Sequence, residues 1–544
     1  MSVAFSLELP NQIGKGSNVE TQSLSATGVF AMLLFAGANQ IEGAILYVSQ
    51  NSSAPAPPYA AWDTAAHTVQ EAVDAASDGD TVLVAEGEYA LTNQITIEKA
   101  IVLRSEMGAG QTSLDGQWLT RCLWISNSLA VVDGFTMTRG NERDGGDLAG
   151  GVFMVGGVLS NCIVKRPQSP FSEGRLVYCR NGGLITDCHI GENRAFAAKG
   201  AGVYLTDSEL RNSTISGMLN PLAYGGANDG AGVYAISSTI SGCTITGNSG
   251  RRAGGGAYLE GCVVDRCSIG GNRAGVYLMT AGLGGGIFAT NSVIRNSLIA
   301  TNVADAGYDP ETDIDGGLPG FGGGIYLHGG SLLNCTVTGN RTVPPTGTEP
   351  AKGGGTYVET GNVRNSIIYF NSAPSGPNWH NVGGGSFDHS CTTPDPGGVG
   401  NLVEDPEFVD RTNGNYRLTP TSPCFDAGTN EAWMAVAADL DGNPRISHGT
   451  VDLGAWESTN TAPTIVNPPQ GLRVRFTQSL ANNGFLRSMI GGLPGRGTII
   501  VETSKDLIEW QPIQTNTITG DSFELVEPIS PSSPLQFFRA LIRQ

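Results

Sequence analysis

An all-β solenoid, wound as a right-handed parallel β-helix, is the fold class that three features of this 544-residue sequence predict. The first is composition. With 77 glycines, 15% charged residues and 40% hydrophobic content, the chain suits short strands joined by many turns around an ample core. The second is a repeated stretch of text. "GGGAYLEGCVVDRCSIGGN" begins at Gly254, "GGGIFATNSVIRNSLIATN" at Gly284, "GGGIYLHGGSLLNCTVTGN" at Gly322 and "GGGTYVETGNVRNSIIYFN" at Gly353. The third is the period inside each stretch: side chains alternate over about four to six residues and then break at Gly or Asn, which is the pattern of strands.

The aromatic after each glycine-rich start serves as a ruler. It falls at Phe153, Tyr178, Tyr204, Tyr234, Tyr258, Phe288, Tyr326, Tyr357 and Phe387, at spacings of 24 to 38 residues, the range of a solenoid repeat. Each rung opens a strand at the glycines and carries a cysteine or serine in a later strand. An apolar residue (Ile190, Ile215, Ile245, Ile269, Ile299, Val337, Ile368) follows two places on, so both face the inside of the coil. The closing asparagines (Asn193, Asn248, Asn272, Asn302, Asn340, Asn371) suit a turn with left-handed φ and, stacked coil on coil, a hydrogen-bonded ladder. Rung length varies between that asparagine and the next glycines, so one corner carries the long loops. About 10–12 coils at roughly 4.8 Å each give a rod about 50 Å long, right-handed by the general crossover preference.

Residues 45–458 form this solenoid with its ends. In "DTAAHTVQEAVDAASDGD" (Asp63 to Asp80), Val69, Ala72, Val73 and Ala76 recur at helical spacing. A short capping helix is expected there, with Asp63 or Thr64 as N-cap and Gly79 as stop, covering strand edges that would otherwise be open. Residues 1–38 read as an export signal, with the apolar run "ATGVFAMLLF" (Ala26 to Phe35) and "AGA" following it. That run is too short to span a bilayer, and no later segment reads as a spanning helix. Residues 459–470 are a proline-rich linker, and 471–544 read as a small β-sandwich that serves as a sorting or anchoring module, or as a spacer.

Ten cysteines in an exported chain would suggest disulfides. However, Cys162, Cys188, Cys243, Cys267 and Cys335 share one rung position with Ser213, Ser297 and Ser366. A column that exchanges cysteine for serine calls for a small, buried, weakly polar side chain, so most of these thiols are read as free and stacked. The net charge of −19 argues against nucleic acid and anionic lipid as partners, and it does not suit an anionic polysaccharide either unless cations bridge the two or the few basic residues cluster.

Three stretches carry resemblances. "TVQEAVDAASDGDTVLVAEGEY" (Thr68 to Tyr89) resembles the entry helix and first coil of the pectate-lyase-like β-helix superfamily. The rungs resemble the repeats of polymorphic outer-membrane proteins. "NYRLTPTSPCFDAGT" (Asn415 to Thr429), "DLDGNPRI" (Asp439 to Ile446) and "VDLGAWE" (Val451 to Glu457) are similar, in that order, to the end of choice-of-anchor Q proteins. These resemblances imply a parallel β-helix in a bacterial envelope or secreted setting, with extracellular polysaccharide or envelope components as partners.

Chemistry is sparser. A lyase of this superfamily needs a base and positive charge, often Ca²⁺, at the uronate carboxylate, and a glycosidase needs paired carboxylates. The polygalacturonase-type motifs and an Arg-x-Pro-x-x-Arg motif are not found in the sequence. The residue before each "GxG" should stack at one corner, which gives Lys199, Asp229, Ala253, Leu283, Phe321, Lys352 and Val382, with Arg252 beside Ala253. Lys199, Asp229 and Arg252 are therefore the catalytic candidates: a base, a carboxylate and a cation within a sugar's reach, or else a salt-bridge ladder. For Ca²⁺ the candidates are Asp439 and Asp441 in "DLDGNPR", read equally as a turn closed by Arg445. Asp313 and Asp315, in an acidic loop with Asp309 and Glu311, are further candidates. Tyr224, Tyr308 and Trp379 are corner-loop aromatics that could stack on sugars. The six histidines show no metal-ligand spacing. Two functions stay open: an exported glycan-binding or adhesin rod without catalysis, which is favoured, and a polysaccharide lyase or hydrolase.

Overall fold

The computed structural model describes residues 43–141, 149–165, 175–194, 199–219, 229–276, 281–306, 318–344 and 350–458, together with six strands between 475 and 543. The chain divides into Met1–Gly43 and Ala44–Gln544, and the fold is that of the second unit. The expected export signal, the linker and the acidic loop at 307–317 lie outside the described residues.

The architecture is a right-handed parallel β-helix. The rung from Ile325 shows how the sequence makes it. Strand Ile325–Leu333 bends at Gly329 and Gly330, both with positive φ, strand Thr336–Thr338 follows, and Arg341–Thr342 closes the turn. Each segment pairs in parallel with its equivalents in the coils on either side, so Phe288, Tyr326 and Tyr357 are register partners. One column of twelve such strands runs from Gly87–Ala90 to Cys391–Thr392. Ile325, Leu327, Leu332, Cys335, Val337 and Asn340 all point into the bore and are 1% exposed or less. Repetition of this set makes one continuous core, whose burial is the main stabilising term.

The corners follow a finer logic than the sequence suggests. The closing asparagines do form the expected ladder: Asn248 Nδ2 donates to Asn272 Oδ1, Asn272 to Asn302, Asn302 to Asn340 and Asn340 to Asn371, each at 2.9–3.0 Å. None of the ladder members from Asn193 to Asn371 takes left-handed φ, however. That conformation belongs to the residue before the cysteine-or-serine position (Asp187, Asn212, Asn296, Asn334 and Asn365, φ 47° to 55°), where a short polar side chain tolerates it. The ladder also explains the third glycine of each run. A Cβ on Gly286 would sit 2.8 Å from both Asn302 Nδ2 and the Gly324 carbonyl oxygen, so only a bare backbone leaves room.

The cysteine-or-serine column is a hydrogen-bonded stack. The Cys188, Cys267 and Cys335 amides donate to the hydroxyls of Ser213, Ser297 and Ser366 in the next coil at 3.0–3.1 Å. The Cys243 amide donates to Cys267 Sγ at 3.4 Å. A thiol and a hydroxyl both accept this bond, which is why the two residue types exchange. All ten cysteines are reduced and buried.

The N-terminal helix is shorter than expected and starts later. It spans Val69–Ala75, and Thr68, not Asp63 or Thr64, caps it through a capping box with Glu71. Trp62–Thr64 form a separate 3-10 turn. Val69, Ala72 and Val73 are buried in the core. At the other end, Asn415 to Glu457 folds back against the side of the last coils. The Gly454 amide donates to the Asn365 carbonyl (2.8 Å), Ala455 donates to Thr336 Oγ1 (3.0 Å), and Asn365 Nδ2 donates to the Thr429 carbonyl (2.9 Å). The C-terminal segment carries two three-stranded antiparallel sheets. No helix of the described residues is long and apolar enough to cross a membrane.

Candidate functional site

The ruler aromatics face outward. Alternation along each strand turns the flanking residues into the bore and leaves the ring on the outer surface. Ten rings stack into one ladder: Trp124, Phe153, Tyr178, Tyr204, Tyr234, Tyr258, Phe288, Tyr326, Tyr357 and His380. Centroids are 4.4–5.2 Å apart and planes differ by 4° to 28°. Each inner ring therefore has both faces covered, and ring edges and phenol oxygens line the outer side at the coil spacing, with Phe153, Tyr234 and Tyr326 buried and the other rings partly open to solvent. Two expectations at its C-terminal end are corrected. Phe387 pairs with Val363, past the bend of strand Thr356–Arg364, and is buried, and the true last rung is "GPNWH". There Gly376 has φ +60°, Asn378 accepts from Asn371, and His380 takes the ring position. The glycine run at 383–385 lies inside strand Trp379–Asp388, which is what misled the motif count. For the same reason Ser375, not Val382, stacks beside Lys352.

Basic side chains gather along this ladder. Arg121 lies over Trp124 and Phe153, Arg180 over Phe153, Arg175 over Tyr178 and Tyr204, and Lys199 over Tyr234, with charge-to-centroid distances of 4.7–5.7 Å. Lys199, Asp229 and Arg252 do converge, around Tyr234. Lys199 Nζ is 3.5 Å from Tyr234 Oη, and Arg252 binds Asp229 through two hydrogen bonds of 3.0 and 2.5 Å. The Asp229 side chain is 2% exposed and also accepts the Ala253 amide. This carboxylate is committed to holding Arg252 and the corner, so the pair is the salt-bridge reading, while Lys199 and half the Arg252 side chain stay open to solvent. Burial, then the neighbouring Tyr204, Glu260 and Asp229, pushes the Tyr234 phenol up to about 12, which makes it a poor base and a steady hydrogen-bond donor at neutral pH.

A second cluster lies at the other end of the ladder, and sequence reasoning missed it. Tyr326 Oη donates to Glu359, whose other oxygen bonds His328 Nδ1. Burial works to raise the Glu359 carboxyl, but the bonds from Tyr326 and His328 outweigh it and hold the group below its usual range. One coil on, burial and the Lys352 charge lower His380, which is therefore neutral at physiological pH. His328 and Glu359 are 31 residues apart in sequence. The available signal was the outward position two places after the ruler aromatic, which reads Glu260, Thr290, His328, Glu359.

The remaining candidates stand elsewhere. Trp379 is not on a loop: it begins a strand, is half-buried against the core and donates to the Pro394 carbonyl at 2.9 Å. Tyr224, Tyr308, Asp313 and Asp315 lie outside the described residues. Asp439 accepts three backbone amides and the Asn443 side chain, and Asp441 is clamped by Arg417 at 2.6 Å twice. The two carboxylates thus build a turn held by backbone amides and Arg417. Among the described residues, the acids that do converge are Asp426, Asp452 and Glu457, with carboxylate oxygens within 4.8 Å of one another. The fully buried Arg445 is 3.5 Å from Glu457 and supplies positive charge there.

That buried group makes the folded-back segment pH-sensitive. Burial raises Asp452 to about 6 and Glu457 to about 8. Both folded values exceed the ordinary ones, so the contribution is fully present in acid below about pH 4 and is lost as pH rises through 6 and then 8. Amide-exchange protection across 424–457 is expected to be at least about tenfold greater at pH 5 than at pH 9, and Glu457→Gln should flatten the upper part of that fall.

Comparison with known proteins agrees with the fold. Residues 175–373 match the family described as right handed beta helix region. Among solved structures, the chain is similar to pectate lyase Pel9A at 16% identity, covering 76% of this chain and 96% of that one with a TM-score of 0.41. It is also similar to the A-module of the Azotobacter vinelandii mannuronan C-5 epimerase AlgE6, at 14% identity, 61% and 88% coverage and a TM-score of 0.32. A mannuronic acid specific polysaccharide family 6 lyase from human gut microbiota aligns at 10% identity, 60% and 87% coverage and a TM-score of 0.28. No curated protein matches.

Proposed function

We propose that this protein is an exported, envelope-associated or secreted β-helix that binds an anionic polysaccharide lengthwise along the outer ladder. The observation that carries the reading is the row of cations set against that ladder in a chain of net charge −19. Arg180, Lys199 and the exposed part of Arg252 offer positive charge on three of four consecutive coils, the Tyr234 coil between Lys199 and Arg252 carrying Asp229 instead, and the phenol oxygens along them offer hydrogen bonds at a repeat close to the length of one sugar. Because the ring faces are covered, recognition rests on edges, hydroxyls and charge, with little sugar stacking.

A second reading, cleavage of a uronate polymer by proton abstraction beside its carboxylate, is favoured by one feature. His380 is a neutral imidazole next to Lys352, which are the base and the cation that such a step needs. Affinity electrophoresis of the full chain through acidic and neutral polysaccharides, with product absorbance followed in parallel, separates the readings. Salt-sensitive retardation by acidic polymers alone supports binding, and unsaturated product abolished by His380→Ala supports cleavage. Equal mobility in all gels with no product would refute both.

A further inference from the structure

The ten cysteines fall into two groups. Cys122, Cys162, Cys179, Cys188, Cys243, Cys262, Cys267 and Cys335 belong to the core of the solenoid. Cys391 and Cys424 belong to a separate cluster with Ile367, Leu418 and Leu453. This cluster is the interface between the coils and the folded-back segment. Cys391 is the register partner of Ile367, one residue off the bore-facing pair Ile368 and Thr392, so it points out of the solenoid. Cys424 comes down on it from the segment that covers this face. Both are fully buried in the same packed cluster, where the Cys391 thiol donates to the Glu404 carbonyl at 3.2 Å. Tyr369 packs over the same cluster and feels both sulfurs.

We propose that Cys391 and Cys424 are a redox-closed staple, a disulfide that locks the folded-back segment to the outer face of the last coils. Stacked core cysteines are poor disulfide partners. In-register parallel neighbours keep their side chains parallel at about 4.8 Å, beyond the roughly 3.5–4.5 Å between Cβ atoms that the bond requires. Cys391 and Cys424 sit on different elements that face each other and escape that constraint. The oxidant is a small disulfide such as oxidised glutathione. One protein thiolate attacks it, expels one glutathione thiolate and forms a mixed disulfide. The second protein thiolate then attacks the protein sulfur of that bond and expels the other glutathione. Two protein thiols lose two protons and two electrons, and one glutathione disulfide becomes two thiols. Hydrogen bonding to Cys391 and burial hold the Cys424 thiol protonated in the closed state, so closure proceeds when the segment opens or during folding.

The test incubates the full chain with oxidised or reduced glutathione, both natively and during refolding, then blocks free thiols in denaturant and maps peptides without reduction. A linked pair containing Cys391 and Cys424, with the eight core cysteines blocked as thiols, is expected. Oxidation should raise exchange protection over 415–457 on the order of a hundredfold, and Cys424→Ser should abolish that gain while keeping the reduced-state protection. Cys391 and Cys424 both recovered as blocked thiols after oxidative refolding would overturn the staple. So would either one linked to a core cysteine, or an equal gain in Cys424→Ser.

Discussion

Asn302→Leu is expected to destabilise the β-helix by about 3 kcal/mol or more, since three buried polar groups are left without this partner at roughly 1–3 kcal/mol each, and Asn340 Oδ1 loses one of its bonds besides. Asn302 Oδ1 accepts both the amide and the side-chain nitrogen of Asn272, each at 3.0 Å, and its own Nδ2 donates to the Ile269 carbonyl at 2.9 Å. Leucine has similar size, so the bore stays filled. The Asn272 amide, one Asn272 side-chain proton and the Ile269 carbonyl are nonetheless stranded where no water reaches them. Asn302 is completely buried; three of the groups it serves belong to the coil before it, and its Nδ2 also donates to Asn340 Oδ1 in the coil after it at 2.9 Å. Urea titration of the full chain should therefore show a lower midpoint, with Asn51→Ala on the exposed surface as a control within about 0.5 kcal/mol of the parent. An unchanged midpoint in Asn302→Leu would mean that the ladder is ornamental.

The double variant Arg180→Glu with Lys199→Glu is expected to weaken retention of acidic polysaccharide at least about tenfold, equivalent to 1.4 kcal/mol. Both side chains are exposed and lie over ladder rings, and reversal changes the local charge by four. In the parent the effect should shrink as salt shortens the screening length from about 10 Å at 0.1 M. Neutral polymers should be unaffected by either change. The folded state should tolerate the variant, because exposed cation–ring contacts are worth only about 0.5–1 kcal/mol, and a matched thermal midpoint would show it. Parent-like retention of acidic polymers by a folded double variant would remove the ladder flank from the binding site.

Much of the fold is legible in the chain. Bore positions are repeated coil after coil, and a column that accepts Ile, Val, Leu, Cys, Ser or Asn and little else announces an interior. The closing asparagines, the cysteine-or-serine alternation and the one variable corner are all readable for that reason. The misreadings have local causes. Phe387 was matched because "GGGSF" imitates a rung start, while the real one, "GPNWH", keeps one glycine of three. For Asp439 and Asp441 the sequence left a calcium loop and a turn equally open, because the same carboxylate geometry that binds an ion also collects backbone amides, as Asp439 does here.

The candidate site was less legible because it is built across coils. Glu359 meets Tyr326 and His328 from 33 and 31 residues away, and Cys424 meets Cys391 through a segment that returns along the side of the rod. By itself the sequence determined the winding, since a repeat that buries one set of side chains every coil has one economical way to close on itself. It also determined which residues stack wherever the motif repeats, because stacking is periodicity, and failed at the last rung, where "GPNWH" breaks the motif. Only the tertiary structure decided which way the ruler aromatics face, which carboxylates are already spent on arginine or amide partners, and which thiols meet outside the bore. Those depend on pairwise distances between residues that no period relates.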